Sequence, residues 1–239
     1  MKKLQPIKRG SFSEEIYDQL RAGLMNGFYE PGERLLIAQI AAEMGTSVTP
    51  VREAIFRLAA DGMLEIQKAH SVVVPRLTTR QIAELKTIRA LLEGESAAVA
   101  ATLATPEQIA EITRINDAFF ACMRGGDPRQ ASEYNREFHL AVVAIAEMPI
   151  LLATVETMWA RMGPMIYRNN LDLLTRRDYG PDHDHYRVID GLQRHNSALA
   201  RVAIQNDIRS SRMTGYDAPA EEAPPGSPAR RSRRKATGG

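Results

Sequence analysis

Two polar residues occupy a helical face that otherwise reads as apolar. Asn135 and His139 are one turn apart, and the face they share continues into Val142, Val143 and Ala146, so both point inward. Later in the chain a turn around His195-Asn196 joins two helical stretches. His185 precedes Asn196 by 11 residues and Asp207 follows it by 11. In an antiparallel helical hairpin these two stand level, each about 16 Å from the turn at a rise of ~1.5 Å per residue, and their side chains can converge. Imidazoles and a carboxylate suit a divalent first-row metal such as Zn²⁺, Ni²⁺ or Mn²⁺. The same residues also suit a hydrogen-bonded core, the commoner fate of a buried histidine.

The elements that must carry these residues are helical. From residue 78 onward the pattern is almost wholly 3.6-periodic. The spacing predicts helices over 78–103, 106–124, 129–147, 150–174, 182–194 and 197–211, with a disturbance at Gly163-Pro164. Stops at Gly125-Gly126-Asp127-Pro128 and Met148-Pro149 separate them. Trp159, Met158, Met162 and Met165 read as ordinary core, and His183 and His195 as exposed residues near helix ends.

Upstream, residues 45–62 read as a turn and a helix with a polar, basic front and an apolar back. Thr49 is expected to cap it, Pro50 to take its first position and Gly62 to end it. Val51, Ala54, Ile55 and Leu58 face a core, while Ser47, Thr49 and Arg52 project from the front, where they suit phosphates and base edges. Leu35, Ile40, Ala41 and Met44 form the stripe of a preceding helix, and residues 12–25 form a supporting one. Together these make a helix-turn-helix. Two β-prone runs, 63–67 and 72–74, follow as a two-stranded wing with His70 at its tip; His70 is either a minor-groove contact or simply exposed.

The 239 residues, 44% of them hydrophobic, exceed a typical single domain and leave room for two cores. No apolar run approaches a signal peptide or a membrane helix, so a cytoplasmic location is expected. The single Cys122 rules out an internal disulfide and reads as packing beside Phe119, Phe120 and Met123. A net charge of +2 leaves any nucleic-acid role to local placement of Lys and Arg. Residues 213–239, with the basic run Arg230-Arg231-Ser232-Arg233-Arg234-Lys235, lack the apolar content to fold and are expected to form a disordered tail.

The series Pro31-Gly32-Glu33-Arg34-Leu35, Ala41 to Gly45, Thr49-Pro50-Val51-Arg52-Glu53-Ala54, Leu58, Asp61-Gly62 and Leu64 resembles the winged helix-turn-helix of the GntR family of bacterial transcription regulators. It departs from the family pattern at Ala38, Val48 and Ser71. Arg89-Ala90-Leu91-Leu92-Glu93, Asn135-Arg136-Glu137-Phe138-His139 and His185 followed by Ile189 resemble the six-helix ligand-sensing FCD domain of the FadR-type branch.

The resemblance implies a mainly α fold with a winged helix-turn-helix at 1–76, an all-α six-helix effector-binding and dimerisation domain at 77–212, and the tail beyond. DNA contacts are expected at Ser47, Thr49, Pro50, Arg52 and His70, from their places on the helix and wing, and the resemblance implies effector contacts at Arg89, Asn135, His139 and His185. The metal ligands it implies are Asn135, His139, His185 and, where the family has histidine, Asp207. Arg89 would hold a carboxylate, or simply pair with Glu93. The expected activity is a homodimeric regulator on palindromic operator DNA, controlled by a small organic acid and possessing no catalytic residue or organic cofactor. A metal-dependent enzyme using His139, His185 and Asp207 to activate water is the alternative.

Overall fold

The computed structural model describes residues 11–67, 71–176 and 182–217. Wing-tip His70 and the basic run at 230–235 lie outside them.

The chain opens with α1 (Ser11–Met25), β1 (Arg34–Leu35), α2 (Ile37–Glu43), α3 (Val48–Ala60), β2 (Glu65–Ile66) and β3 (Val72–Val73). Gly45 turns α2 into α3 with φ of 61°, a left-handed conformation that glycine adopts without steric cost. Val51, Ala54, Ile55 and Leu58 of α3 are all buried against α1, as their spacing requires.

Two local expectations are corrected. The wing sheet has three strands, in the order β1-β3-β2, all antiparallel. Leu35 leaves the expected stripe of α2 to lie opposite Val72, because β3 has a second free edge that Arg34 and Leu35 fill. Helix α3 begins at Val48 with Ser47 as its N-cap, so Thr49 does not cap and Pro50 is the third helical residue. Proline is tolerated there because the first-turn N–H groups have no intrahelical partner.

Six helices follow: α4 (Thr79–Leu103), α5 (Pro106–Gly125), α6 (Pro128–Ile145), α7 (Pro149–Arg176), α8 (Asp184–Gln193) and α9 (Ser197–Ser210). Reciprocal capping boxes, Thr78 with Gln81 and Thr105 with Gln108, start α4 and α5. The Asp127 side chain accepts from the first-turn N–H groups of α6. Helix α7 continues through Pro164, with Met162, Met165 and Ile166 buried on either side.

The winged and helical parts share one core. Ile16, Leu20 and Leu24 of α1 belong to the same buried cluster as Val155, Trp159 and Met162 of α7. Gly163 makes this approach feasible, since a Cβ there would stand 2.0 Å from the Leu24 carbonyl oxygen. At the rim Arg21 Nη2 donates to Glu156 Oε2 at 2.9 Å.

The segment after α9 is a strap across the junction. Tyr216 N–H donates to Leu77 O at 2.8 Å, Asp217 Oδ1 accepts from Thr79 N–H at 3.0 Å and Asp217 Oδ2 accepts from the Thr79 hydroxyl. The guanidinium groups of Arg76 and Arg168 lie 5.6 and 5.2 Å from the Tyr216 ring. Residues 213–217, expected to belong to a disordered tail, are therefore packed onto the start of α4. Among the described residues no helix is long and apolar enough to cross a membrane.

Candidate functional site

Three of the four sequence-predicted donors, His139, His185 and Asp207, meet between α6, α8 and α9, and the fourth, Asn135, lines the adjoining cavity. His139 and His185 are buried, and one ligand atom from each of His139, His185 and Asp207 lies within 4.8 Å of the other two. His139 Nε2 is 3.0 Å from Asp207 Oδ2, and His185 Nε2 is 3.6 Å from Asp207 Oδ1. The hairpin of α8 and α9 brings His185 and Asp207 level, as equal distance from its turn requires.

Each histidine is oriented through its other nitrogen. His139 Nδ1 donates to Glu93 Oε2 at 2.7 Å, since an ionised carboxylate can only accept. Glu93 is itself buried and takes the Arg89 Nε–H on Oε1 at 2.6 Å. His185 Nδ1 donates to Asn116 Oδ1 at 3.0 Å, which leaves a lone pair on Nε2. That Nε2 atom is buried with no hydrogen-bond partner among the described residues, a demand that a bound ion or a water would satisfy. A hydrogen-bonded outer shell holding both rings fits a metal ion bound through the two Nε2 atoms and the carboxylate.

The same groups shift one another's protonation, and a metal on His139 Nε2 would have to displace a proton there. Burial pushes the His185 imidazole well below its ordinary range, and the nearby Asp207 charge only partly offsets this. Burial acts in the same direction on His139, but the carboxylates of Glu93 and Asp207 outweigh it and hold that imidazole above its ordinary value. Burial opposes charge on Asp207 too, yet the imidazoles of His185, His139 and His183 keep its carboxyl well below the carboxylate range. Glu93 is held low against burial by Arg89 and His139.

These groups adjoin a cavity of about 430 Å³, within the ~300–1,000 Å³ typical of small-molecule pockets. Arg89, Asn135, His139 and Asp207 line it. The Arg89 guanidinium sits 3.9 Å from the Trp159 ring centroid, so Arg89 is both the ion-pair partner of Glu93 and part of the cavity wall.

Sequence reasoning missed three supporting side chains. Glu93 was visible only as a partner for Arg89. Asn116 stands on the apolar face formed by Ile112, Ile115 and Phe119, and a lone amide in such a face was the available signal. His183, expected to be exposed, caps α8: its Nδ1 accepts the His185 N–H at 3.3 Å, and its Nε2 faces Asp207 Oδ1 at 3.7 Å.

At the other end of the molecule Ser47, Thr49 and Arg52 are exposed at the front of α3, and Pro50 is half-buried. The Ser47 side chain makes no capping bond. Its hydroxyl and the first N–H groups of α3 are therefore uncommitted within the helix, a disposition that attracts anions.

Comparison with known proteins places this geometry. Residues 12–74 match the family of bacterial regulatory proteins, gntR family, and residues 84–210 match the FCD domain. The HTH-type transcriptional regulator McbR of Escherichia coli (strain K12) is 34% identical over 161 residues, covering 67% of this chain and 73% of McbR. The Exu regulon transcriptional regulator of the same organism is 28% identical over 221 residues, with 83% of each chain covered. Among solved structures, E. coli McbR/YncC superimposes with a TM-score of 0.75 at 28% identity, covering 84% of this chain and 94% of that one. The chain belongs to the GntR family, in its FadR-type branch with an FCD domain, and is a DNA-binding transcriptional regulator of that type.

Proposed function

We propose that this regulator is a homodimer that binds palindromic operator DNA through α3 and the wing, and that a small organic acid in the helical domain controls its grip. The acid's carboxylate is held by Arg89 together with a divalent metal, Zn²⁺, Ni²⁺ or Mn²⁺, on His139, His185 and Asp207, with Asn135 completing the set. The orphaned Nε2 of His185, buried among these donors, carries the reading. A bound metal would supply a positive charge and an open coordination position for the acid. Ser47, Thr49, Pro50, Arg52 and His70 are assigned to DNA, and the protein acts in the cytoplasm, where its operator lies.

Two chains are required because a palindromic operator presents two half-sites to one two-fold assembly. The shared core of α1 and α7 supports the link between ligand and DNA, because Arg89 stacks on Trp159 of the helix that carries α1.

The test is elemental analysis of the full chain purified without chelator, followed by calorimetric titration of Zn²⁺ into the wild type and His139→Ala. Near-stoichiometric binding by the wild type and none by the variant is expected. Absence of binding to the wild type, with no change in thermal stability on adding any of the three metals, overturns the metal assignment. Electrophoretic retardation of the gene's own upstream region, with and without metal and organic acids, tests the regulatory reading.

A further inference from the structure

Helix α3 carries an apolar residue that its packing does not use. Phe56 is 51% exposed, although the same helix buries Val51, Ala54, Ile55 and Leu58. A helix turns ~100° per residue, so Thr49 and Phe56, seven residues apart, project from nearly the same stripe, opposite the buried one. Arg52 and Glu53 flank that stripe on its two sides, and both are exposed. Val48, one turn before Arg52, is 39% exposed. The outer face is therefore continuous from the start of the helix to Phe56.

The other basic residue of α3 is turned away from this face. The Arg57 guanidinium lies 4.2 Å from the centroid of the Tyr17 ring on α1, and the Tyr17 hydroxyl donates to Asp61 Oδ2 at 2.8 Å. These contacts fasten the back of α3 to its support. Thr49, Arg52, Glu53 and Phe56 are left to form the centre of the outer face.

That set is mixed in chemistry. A surface made for phosphates alone is basic throughout, and the Glu53 carboxylate would be repelled there. Base edges in the major groove differ from one another as these side chains do: guanine offers two acceptors, cytosine an amino donor and thymine a methyl group. A guanidinium, a carboxylate and a phenyl ring answer those three. Phe56 stands four residues beyond Arg52, ~6 Å along the axis at ~1.5 Å per residue, which spans roughly two base-pair steps of ~3.4 Å. A ring laid on a methyl group at that place removes water from two apolar surfaces.

We propose that Phe56 is a specificity-determining residue that packs on a thymine 5-methyl group, within about two base pairs of the group held by Arg52. This rests on the reading of α3 as the element that enters the major groove, and it adds a base preference to that reading.

The experiment selects duplexes from a randomised pool with the full wild-type chain, then remakes the tightest one with deoxyuridine in place of every thymidine. That exchange removes the methyl groups and keeps every hydrogen-bonding atom. Retardation assays at one salt concentration compare the wild type, Phe56→Ala and Arg52→Ala on both duplexes. The selected duplex is expected to hold thymine at a fixed place in each half-site. Uracil is expected to weaken the wild type roughly fourfold per half-site, on the order of tenfold for two, the equivalent of one buried methyl group in each. Phe56→Ala is expected to bind the thymine duplex more weakly and to lose most of the discrimination, with an unchanged unfolding midpoint because the ring is exposed. Arg52→Ala is expected to weaken binding to both duplexes and to keep the difference between them.

A wild type indifferent to uracil, or a Phe56→Ala variant that discriminates as strongly as the wild type, overturns the inference, while weakened binding by Arg52→Ala still upholds α3 as the reading element. If both variants bind the selected duplex as tightly as the wild type, or if selection yields no sequence preference, the inference and the placement of α3 in the groove fall together.

Discussion

Glu93 on α4 and His139 on α6 are joined by a 2.7 Å hydrogen bond in which both side chains are buried. Glu93 also holds Arg89, so one carboxylate sets the orientation of His139 and of the cation beside the cavity. Helix α4 supplies none of the three candidate metal donors, yet it orients one of them through this residue. His185 has the corresponding support from Asn116 on α5.

Asn116→Leu tests the support of His185. Leucine has a similar shape and also removes the Asn116 Nδ2 group, which is buried without a partner among the described residues. A destabilisation of about 1–3 kcal/mol is nevertheless expected in denaturant unfolding, because the buried His185 Nδ1–H loses its acceptor. Zn²⁺ affinity is expected to fall by roughly ten- to a hundredfold, because the His185 ring loses the partner that fixes its tautomer. Calorimetric titration of the metal checks this.

Glu93→Gln is expected to weaken Zn²⁺ binding by a similar factor, roughly ten- to a hundredfold, and in addition to destabilise the chain. The buried Arg89 guanidinium loses its counter-charge, a loss on the order of 3 kcal/mol for a buried pair. A thermal unfolding midpoint equal to the wild type would show that Arg89 finds another partner.

Arg52→Ala is expected to weaken operator binding by about 1–3 kcal/mol for each lost contact, while circular dichroism and the unfolding midpoint stay unchanged, since Arg52 is exposed on α3. Retardation assays at a fixed salt concentration measure the effect. Undiminished affinity would mean that the front of α3 does not face the DNA.

Gly163→Ala places a methyl group against the Leu24 carbonyl oxygen and forces α1 and α7 apart. A destabilisation of about 1–3 kcal/mol is expected from such overpacking, together with altered operator affinity, because α1 supports the recognition helix. Unfolding curves and retardation assays on one preparation report the two effects.

Tyr216→Ala tests the strap. The variant loses ring burial and two guanidinium contacts, and an exposed-to-intermediate cation–π pair contributes about 0.5–1 kcal/mol. A loss of about 1–2 kcal/mol is expected, with faster amide exchange at the start of α4. An unchanged unfolding midpoint would show that the strap adds nothing to stability.

The helix-turn-helix and the six following helices were legible because they are written in local terms. Periodic apolar residues, Thr and Asp caps, and Gly or Pro stops act within a few residues of one another. The convergence of His185 and Asp207 was equally local, since the arithmetic of one hairpin sets it. What only the tertiary structure decided are pairings between segments distant in sequence. No periodicity tells Arg34 and Leu35 to join β3, and nothing near Asn116 announces His185 as its partner. The short wing strands and the strap are held by long-range hydrogen bonds in place of local propensity. Glu93 turned from a routine neighbour of Arg89 into the support of His139 because burial excludes water, and a buried imidazole and carboxylate must then satisfy each other.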